Sequence, residues 1–224
     1  MDLTYTLIFT VFPYVCLATF VLGHAYRYVT DRYGWNARSS EFLEKQALYP
    51  GSLFFHWGIV LTFVGHAGGL LIPQRVFDLF GFDSEAHLSI AYWSGLPVGL
   101  AAFFGVLLLL RRRLTHPRIS AVNRTNDTIT IGALVVVIGT GLFNVIFGHF
   151  NVLYSVAPWI RGIVTFTPDA MLMKEVPLSF KIHVIAAWTL LAYSPFSRLI
   201  HIWSLPVTYF FRSHILFRRR VPGQ

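Results

Sequence analysis

The chain has 224 residues, 55% hydrophobic and 17% aromatic, with only 12% charged and a net charge of +8. Soluble domains carry about 25% charged residues, so half that charge alongside 21 Phe and 6 Trp excludes a cytosolic globular protein and any disordered class. The single cysteine, Cys16, excludes a disulfide framework and a cysteine-ligated zinc or iron–sulfur site within this chain, and the positive balance reads as arginine collected in membrane loops rather than as a nucleic-acid surface.

Five stretches are long and apolar enough to cross a hydrocarbon core, which takes roughly 20 residues. They run at about 3–26, 52–72, 88–110, 128–150 and 179–203, leaving a tail at 205–224. The fold expected is an all-α integral membrane protein, a bundle of five transmembrane helices forming one domain over 1–224. The first stretch is expected to be a span and not a cleaved leader, because only Asp2 precedes it and no small-residue cleavage site follows. The connections are short, and neither an internal repeat nor a low-complexity tract is present. In the long connection 151–178, the run Val156-Ala157-Pro158-Trp159-Ile160-Arg161-Gly162-Ile163-Val164 reads as a short interfacial helix or an anchored loop, with Trp159 at headgroup depth.

Basic residues set the orientation. Arg75, Arg161, Lys174 and Lys181 lie on one side of the five spans, and every other Lys and Arg lies on the opposite side, including Arg111, Arg112, Arg113 and the tail. The N-terminus is therefore expected outside and the C-terminus in the cytoplasm.

Ionisable groups within a bilayer are costly and are commonly functional. The second span carries His56 and His66, and the fifth His183 and His201. The two spans run antiparallel, so His56 pairs with His201 in the cytoplasmic half and His66 with His183 in the outer half. Two imidazoles without carboxylate or thiolate partners do not complete a tetrahedral zinc site, but they do complete a six-coordinate haem iron suited to electron transfer. Gly58, Gly65, Gly68 and Gly69 with Ala186 and Ala187 would leave room for flat macrocycles, or serve as ordinary small residues between helices. The spacing is uneven: ten residues separate His56 from His66, roughly 15 Å along a helix, and eighteen separate His183 from His201, roughly 27 Å. Tilt of the spans, a slanted macrocycle and a kink at Pro195 are the features that could absorb the mismatch. His24 and His149, near span ends, read as interfacial hydrogen bonders, and His116 and His214 as solvated or partner-facing.

Phe54-Phe55-His56 through Phe63-Val64-Gly65-His66, and Pro195-Phe196-Ser197-Arg198-Leu199-Ile200-His201-Ile202-Trp203-Ser204, closely resemble the gamma subunit of respiratory nitrate reductase, a membrane dihaem cytochrome b. Phe12-Pro13-Tyr14, Tyr26-Arg27-Tyr28, Arg38-Ser39-Ser40 and Arg112-Arg113-Leu114 extend the likeness over nearly the whole chain. The resemblance implies a multi-pass protein of the prokaryotic cytoplasmic membrane with two b haems, the distal on His66 and His183, the proximal on His56 and His201. It implies a quinol substrate (menaquinol or ubiquinol) oxidised on the outer side, and partners that carry the electrons on: an iron–sulfur beta subunit and a molybdenum-containing alpha subunit that reduces nitrate. Anaerobic respiration or nitrate assimilation is the implied setting.

The family's quinol site is associated with a lysine after the second span, and 73–87 contains none here. His87 is the closest positional match, and a neutral imidazole accepts a proton, so the quinol-site candidates are Gly65, His66 and His87. Arg198, one turn before His201, or one of Arg111–Arg113, is expected at a propionate of the proximal haem, the alternative being that these arginines only fix topology. A cytochrome b of another quinol-linked complex, of the sulfur-pathway or heterodisulfide-reductase-like kind, is the nearest competing function. A haem-free anchor or transporter is a more distant one, since pseudo-symmetric halves are not evident.

Overall fold

The computed structural model describes residues 2–31, 34–36, 38–148 and 150–203, and no strand occurs among them. Four helices among the described residues are long and apolar enough to cross a membrane: α1 (Leu3–Thr30), α2 (Leu48–Leu71), α4 (Ser84–Thr115) and α6 (Thr125–Phe147). Between them lie two short helices, α3 (Gln74–Leu79) and α5 (Pro117–Ala121). They are followed by α7 (Val156–Val164) and α8 (Leu178–Tyr193). Arg32, His149 and the tail at 205–224, with His214, lie outside the described residues.

The stretch expected as a fifth span is a 16-residue helix followed by two 3₁₀ turns, Ser194–Phe196 and Arg198–Trp203. Pro195 is the cause. Its ring nitrogen has no hydrogen for the Leu191 carbonyl and its ring crowds the preceding turn. The Leu191 carbonyl accepts instead from Ser194 Oγ at 2.8 Å, and Ser197 takes an extended backbone. The bend packs against α1 at Gly23, where an added Cβ would lie 2.9 Å from Pro195.

α1 contains a second proline effect. Pro13 cannot donate to the Phe9 carbonyl, and the backbone widens into a π turn at Leu7–Val11. The Phe9 carbonyl accepts from Trp159 Nε1 at 2.7 Å. Trp159 is therefore not an exposed anchor: it is fully buried, in a cluster with Phe9, Val156, Ile163 and Met173. A second π turn, Ala67–Leu71, ends α2, and Arg161 of α7 donates to the Leu70 carbonyl at 3.0 Å. α7 thus clamps α1 and α2, using carbonyls that their own helices leave open.

The long helices pack in the order α2, α4, α6, α8, α1. α2 meets α4 through glycine: a Cβ on Gly58 would lie 2.8 Å from that of Ala102, and one on Gly105 would fall on the Phe55 backbone. Close backbone approach at small residues is the membrane solution to helix packing. Gly105→Val should therefore destabilise the bundle by about 3 kcal/mol. Gly95→Ala, where an added Cβ meets nothing within 4 Å, should change stability by less than about 1 kcal/mol. Thermal denaturation in detergent compares the two, and equal midpoints would remove the packing role assigned to Gly105.

Candidate functional site

The structure brings the four span histidines together as two pairs. The rings of His56 and His201 lie 6.5 Å apart between centroids, and those of His66 and His183 lie 6.3 Å apart. His56 and His66 are exposed on α2, while His183 and His201 are half-buried. The unequal spacing along the chain is reconciled by the bend at Pro195, because His201 lies on a 3₁₀ turn beyond the end of α8.

Each ring is oriented in the same way, through Nδ1. His56 Nδ1 meets the Ser52 carbonyl at 2.8 Å, and His66 Nδ1 the Thr62 carbonyl at 2.8 Å. His183 Nδ1 meets the Val137 carbonyl at 3.0 Å and Thr140 Oγ1 at 3.2 Å. His201 Nδ1 meets the Arg198 carbonyl at 2.5 Å. A carbonyl can only accept, so every Nδ1 carries the hydrogen and in the neutral ring Nε2 carries the lone pair, the arrangement that orients a metal-binding imidazole.

Metal–nitrogen bonds of about 2 Å from opposite sides of one ion put two ring centres roughly 6 Å apart, close to both separations. Among the described residues no group of three or more His, Cys, Asp or Glu gathers, so each pair offers two ligands and an ion there must bring its others with it.

The glycines divide by role. Gly58 serves the α2–α4 contact, whereas at Gly65 and Gly68 an added Cβ meets nothing within 4 Å. Gly141 of α6, not singled out in the sequence, makes room for His183: a Cβ there would lie 2.9 Å from Cε1 of that ring. Thr140 and Gly141 are second-layer supports from another helix, and only the fold reveals their neighbour.

His87 is not in a loop. α4 begins at Ser84, three residues earlier, with the Asp83 carboxylate accepting from the Ala86 N–H at 2.8 Å. His87 is buried, its Nδ1 2.8 Å from Gln74 Oε1 and its ring 4.3 Å from that of Phe77. A Cβ on Gly69 would lie 3.6 Å from His87 Nε2, which places His87 against the turn that follows His66.

At the arginine-rich end the guanidinium groups of Arg112, Arg113 and Arg198 are already engaged. Arg112 is buried and donates to the Ser40 hydroxyl and carbonyl and to the Glu44 carboxylate and carbonyl, at 2.6 to 3.1 Å. Arg112 holds the Glu44 carboxyl below the usual carboxylate range. Arg198 Nε donates to Asp127 Oδ1 at 2.9 Å, and Arg113 approaches Asp127 Oδ2 at 3.4 Å. Buried Asp127, which the sequence reading passed over, thus joins α4, α6 and the turn carrying His201. His24 donates from Nδ1 to the Phe20 carbonyl at 2.7 Å, and half-exposed His116 has a buried Nδ1 with no hydrogen-bond partner among the described residues.

Residues 5–220 match the nitrate reductase gamma subunit family. The chain is 40% identical over 214 residues to the nitrate reductase gamma chain of Bacillus subtilis, covering 94% of this chain and 96% of that one. It is 34% identical over 217 residues to the respiratory nitrate reductase 1 gamma chain of Escherichia coli, covering 95% and 96%. The nitrate reductase-like protein NarX of Mycobacterium tuberculosis is 35% identical over 225 residues, which is 98% of this chain but 34% of that longer protein.

The space at Gly141 generates a prediction. Gly141→Val should push the His183 ring off its bonds to Val137 and Thr140, widen its separation from His66, and cost about 1–3 kcal/mol. A structure of the variant with the His183 ring unmoved would show that Gly141 is not what makes room for it.

Proposed function

Because the chain belongs to the nitrate reductase gamma-subunit family, we propose that it is the quinol-oxidising, membrane-anchoring cytochrome b of such a complex. The reading places it in a prokaryotic cytoplasmic membrane with its arginine-rich end inside, α8 and the turns beyond Pro195 making a fifth crossing. Its partners are an iron–sulfur beta subunit and a molybdenum-containing alpha subunit that reduces nitrate. The relative from Escherichia coli carries the word respiratory in its name, which favours respiration over assimilation as the setting.

The observation that supports the reading best is the pair of opposed imidazoles at each end, with Nδ1 of each ring tied to a carbonyl. His66 and His183 would hold the distal haem, and His56 and His201 the proximal one. A haem held by two of these imidazoles would supply a one-electron couple suited to electron transfer rather than to oxygen activation. The open positions at Gly65 and Gly68 fit such a flat group.

The chain's own residues do the rest. Ser52, Thr62, Val137 and Arg198 hold the ring planes through their carbonyls. Oxidation of a quinol, menaquinol or ubiquinol, releases two protons with two electrons. A quinol beside Gly65 and His66 would find His87 as acceptor for the two protons in turn: a quinol O–H bond breaks and an Nε2–H bond forms. The imidazolium returns that proton to the outer water, and the restored imidazole takes the second, while the two electrons would leave singly to the one-electron couple. At the other end the side chain of Arg198, 22% exposed, is the one we assign to a propionate of the proximal haem. Arg112, whose donors are engaged by Ser40 and Glu44, instead fastens the loop before α2.

His→Ala at either member of a pair should remove one haem and leave the other wholly or partly bound. Haem counts and redox titrations of the four variants check this, and loss of the same haem from His56→Ala and His66→Ala would refute the pairing. His87→Ala should slow quinol-driven haem reduction about tenfold or more with both haems retained and nitrate reduction from an artificial donor unchanged. Wild-type quinol kinetics in that variant would exclude His87 from the site.

A further inference from the structure

Gln74 sits where α3 begins, and its side-chain amide has three partners. Nε2 donates to Asp78 Oδ1 at 2.9 Å and to the Phe82 carbonyl at 3.0 Å, while Oε1 lies 2.8 Å from His87 Nδ1. The orientation of this amide is decided by chemistry. A carboxylate and a backbone carbonyl only accept, so both must face the amide nitrogen. The amide oxygen is then left for His87, and an oxygen that only accepts requires a hydrogen on Nδ1. His87 is therefore the Nδ1–H tautomer, with its lone pair on Nε2.

Nε2 is the atom nearest the Gly69 position, on the turn directly after His66. The ring has little freedom to turn away: it is buried and lies against Phe77. The exposed Asp78 carboxylate stands behind the amide and polarises it toward the imidazole. This is the order of parts found where a base is oriented by a second group and that group by a third.

We infer that Gln74, fixed by Asp78 and the Phe82 carbonyl, is the positioning residue that sets the tautomer of His87 and directs Nε2 at the quinol. The inference rests on the reading of His87 as the quinol's proton acceptor and adds the residues that make it one. When Nε2 takes a proton, the Nδ1–H bond to Gln74 persists, and the imidazolium is stabilised by the amide dipole with the Asp78 charge behind it. Without the amide oxygen, either nitrogen can carry the hydrogen, and the Nε2–H form presents a donor where an acceptor is needed.

The two halves of the amide can be tested separately. Gln74→Lys keeps a donor for Asp78 and Phe82 but offers nothing to Nδ1–H, whereas Gln74→Glu keeps an acceptor for Nδ1–H but no donor for the loop. The assay is haem reduction by a reduced short-chain quinol in membranes containing the whole complex, at about pH 8.5, where an imidazole bonded to a carboxylate still reaches its neutral form.

The expected result is that Gln74→Lys slows reduction about tenfold or more and Gln74→Glu stays within about threefold of wild type. Haem content and nitrate reduction from the artificial donor should be unchanged in both. The reverse ranking, with Gln74→Lys near wild type and Gln74→Glu slow, would make Gln74 a loop brace and overturn the inference, as would equal rates or loss of haem from Gln74→Lys. His87→Ala in the same assay separates the two levels. If it is impaired and Gln74→Lys is not, only the positioning role fails; if His87→Ala is itself wild type, the reading of His87 fails first.

Discussion

The backbone contact of α2 with α4 is the constraint on which the rest of the structure depends. Gly58 and Gly105 allow approach so close that a Cβ at either would fall on the other helix. With α2 held from behind in this way, the exposed side chains of His56 and His66 need no helix upon them. α8 is held separately, by α6 and α1. Two helices fixed to different neighbours can face one another across a gap of set width, which direct packing of α2 on α8 would close. The near-equal ring separations at both ends are the consequence.

Away from water, each carbonyl released from a helix needs another donor, and here those donors build the architecture. Pro13 releases the Phe9 carbonyl, which takes the Trp159 indole; the end of α2 releases the Leu70 carbonyl, which takes Arg161; Pro195 releases the Leu191 carbonyl, which takes Ser194. Two of these bonds tie α7 across the end of the bundle that carries His66 and His183. The third makes the bend that brings His201 to His56. The same logic orients the imidazoles, since each Nδ1–H also uses a helix carbonyl as its acceptor.

Much of this was legible in the sequence, because hydropathy and spacing are local signals. Four long helices emerged within a few residues of the expected ends, and assigning the histidines to opposite faces gave the pairs that meet. Pro195 was legible as a kink, but a proline does not announce whether its helix resumes. What was not legible is set by contacts between distant segments. Trp159 has the composition of an interfacial anchor, and only the open Phe9 carbonyl, 150 residues away, explains its burial. Gly141 and Thr140 have no distinguishing pattern until His183 lies against them. His87 falls one residue before the third apolar stretch because Asp83 and Glu85 break the hydropathy of α4, yet acidic residues at that position cap and support a helix start.

The arginine-rich end shows how a topological signal acquires a second, structural use. An excess of Lys and Arg is sufficient to orient a chain and does not require any particular partner. Arg112, Arg113 and Arg198 nevertheless have fixed partners, Glu44 for the first and Asp127 for the other two. Asp127 is buried and draws Arg113 of α4 and Arg198 of the last turn onto α6, while the neighbouring Asn126 donates to the Phe196 carbonyl at 2.9 Å. Breaking a buried pair leaves an uncompensated charge and costs several kcal/mol, so these bonds fix the segment after Pro195 where helix propagation no longer does. His201 hangs on that segment by the carbonyl of Arg198 itself. The position of the imidazole facing His56 is therefore set by one carboxylate on a different helix, and an arginine of the basic end also holds His201 in register.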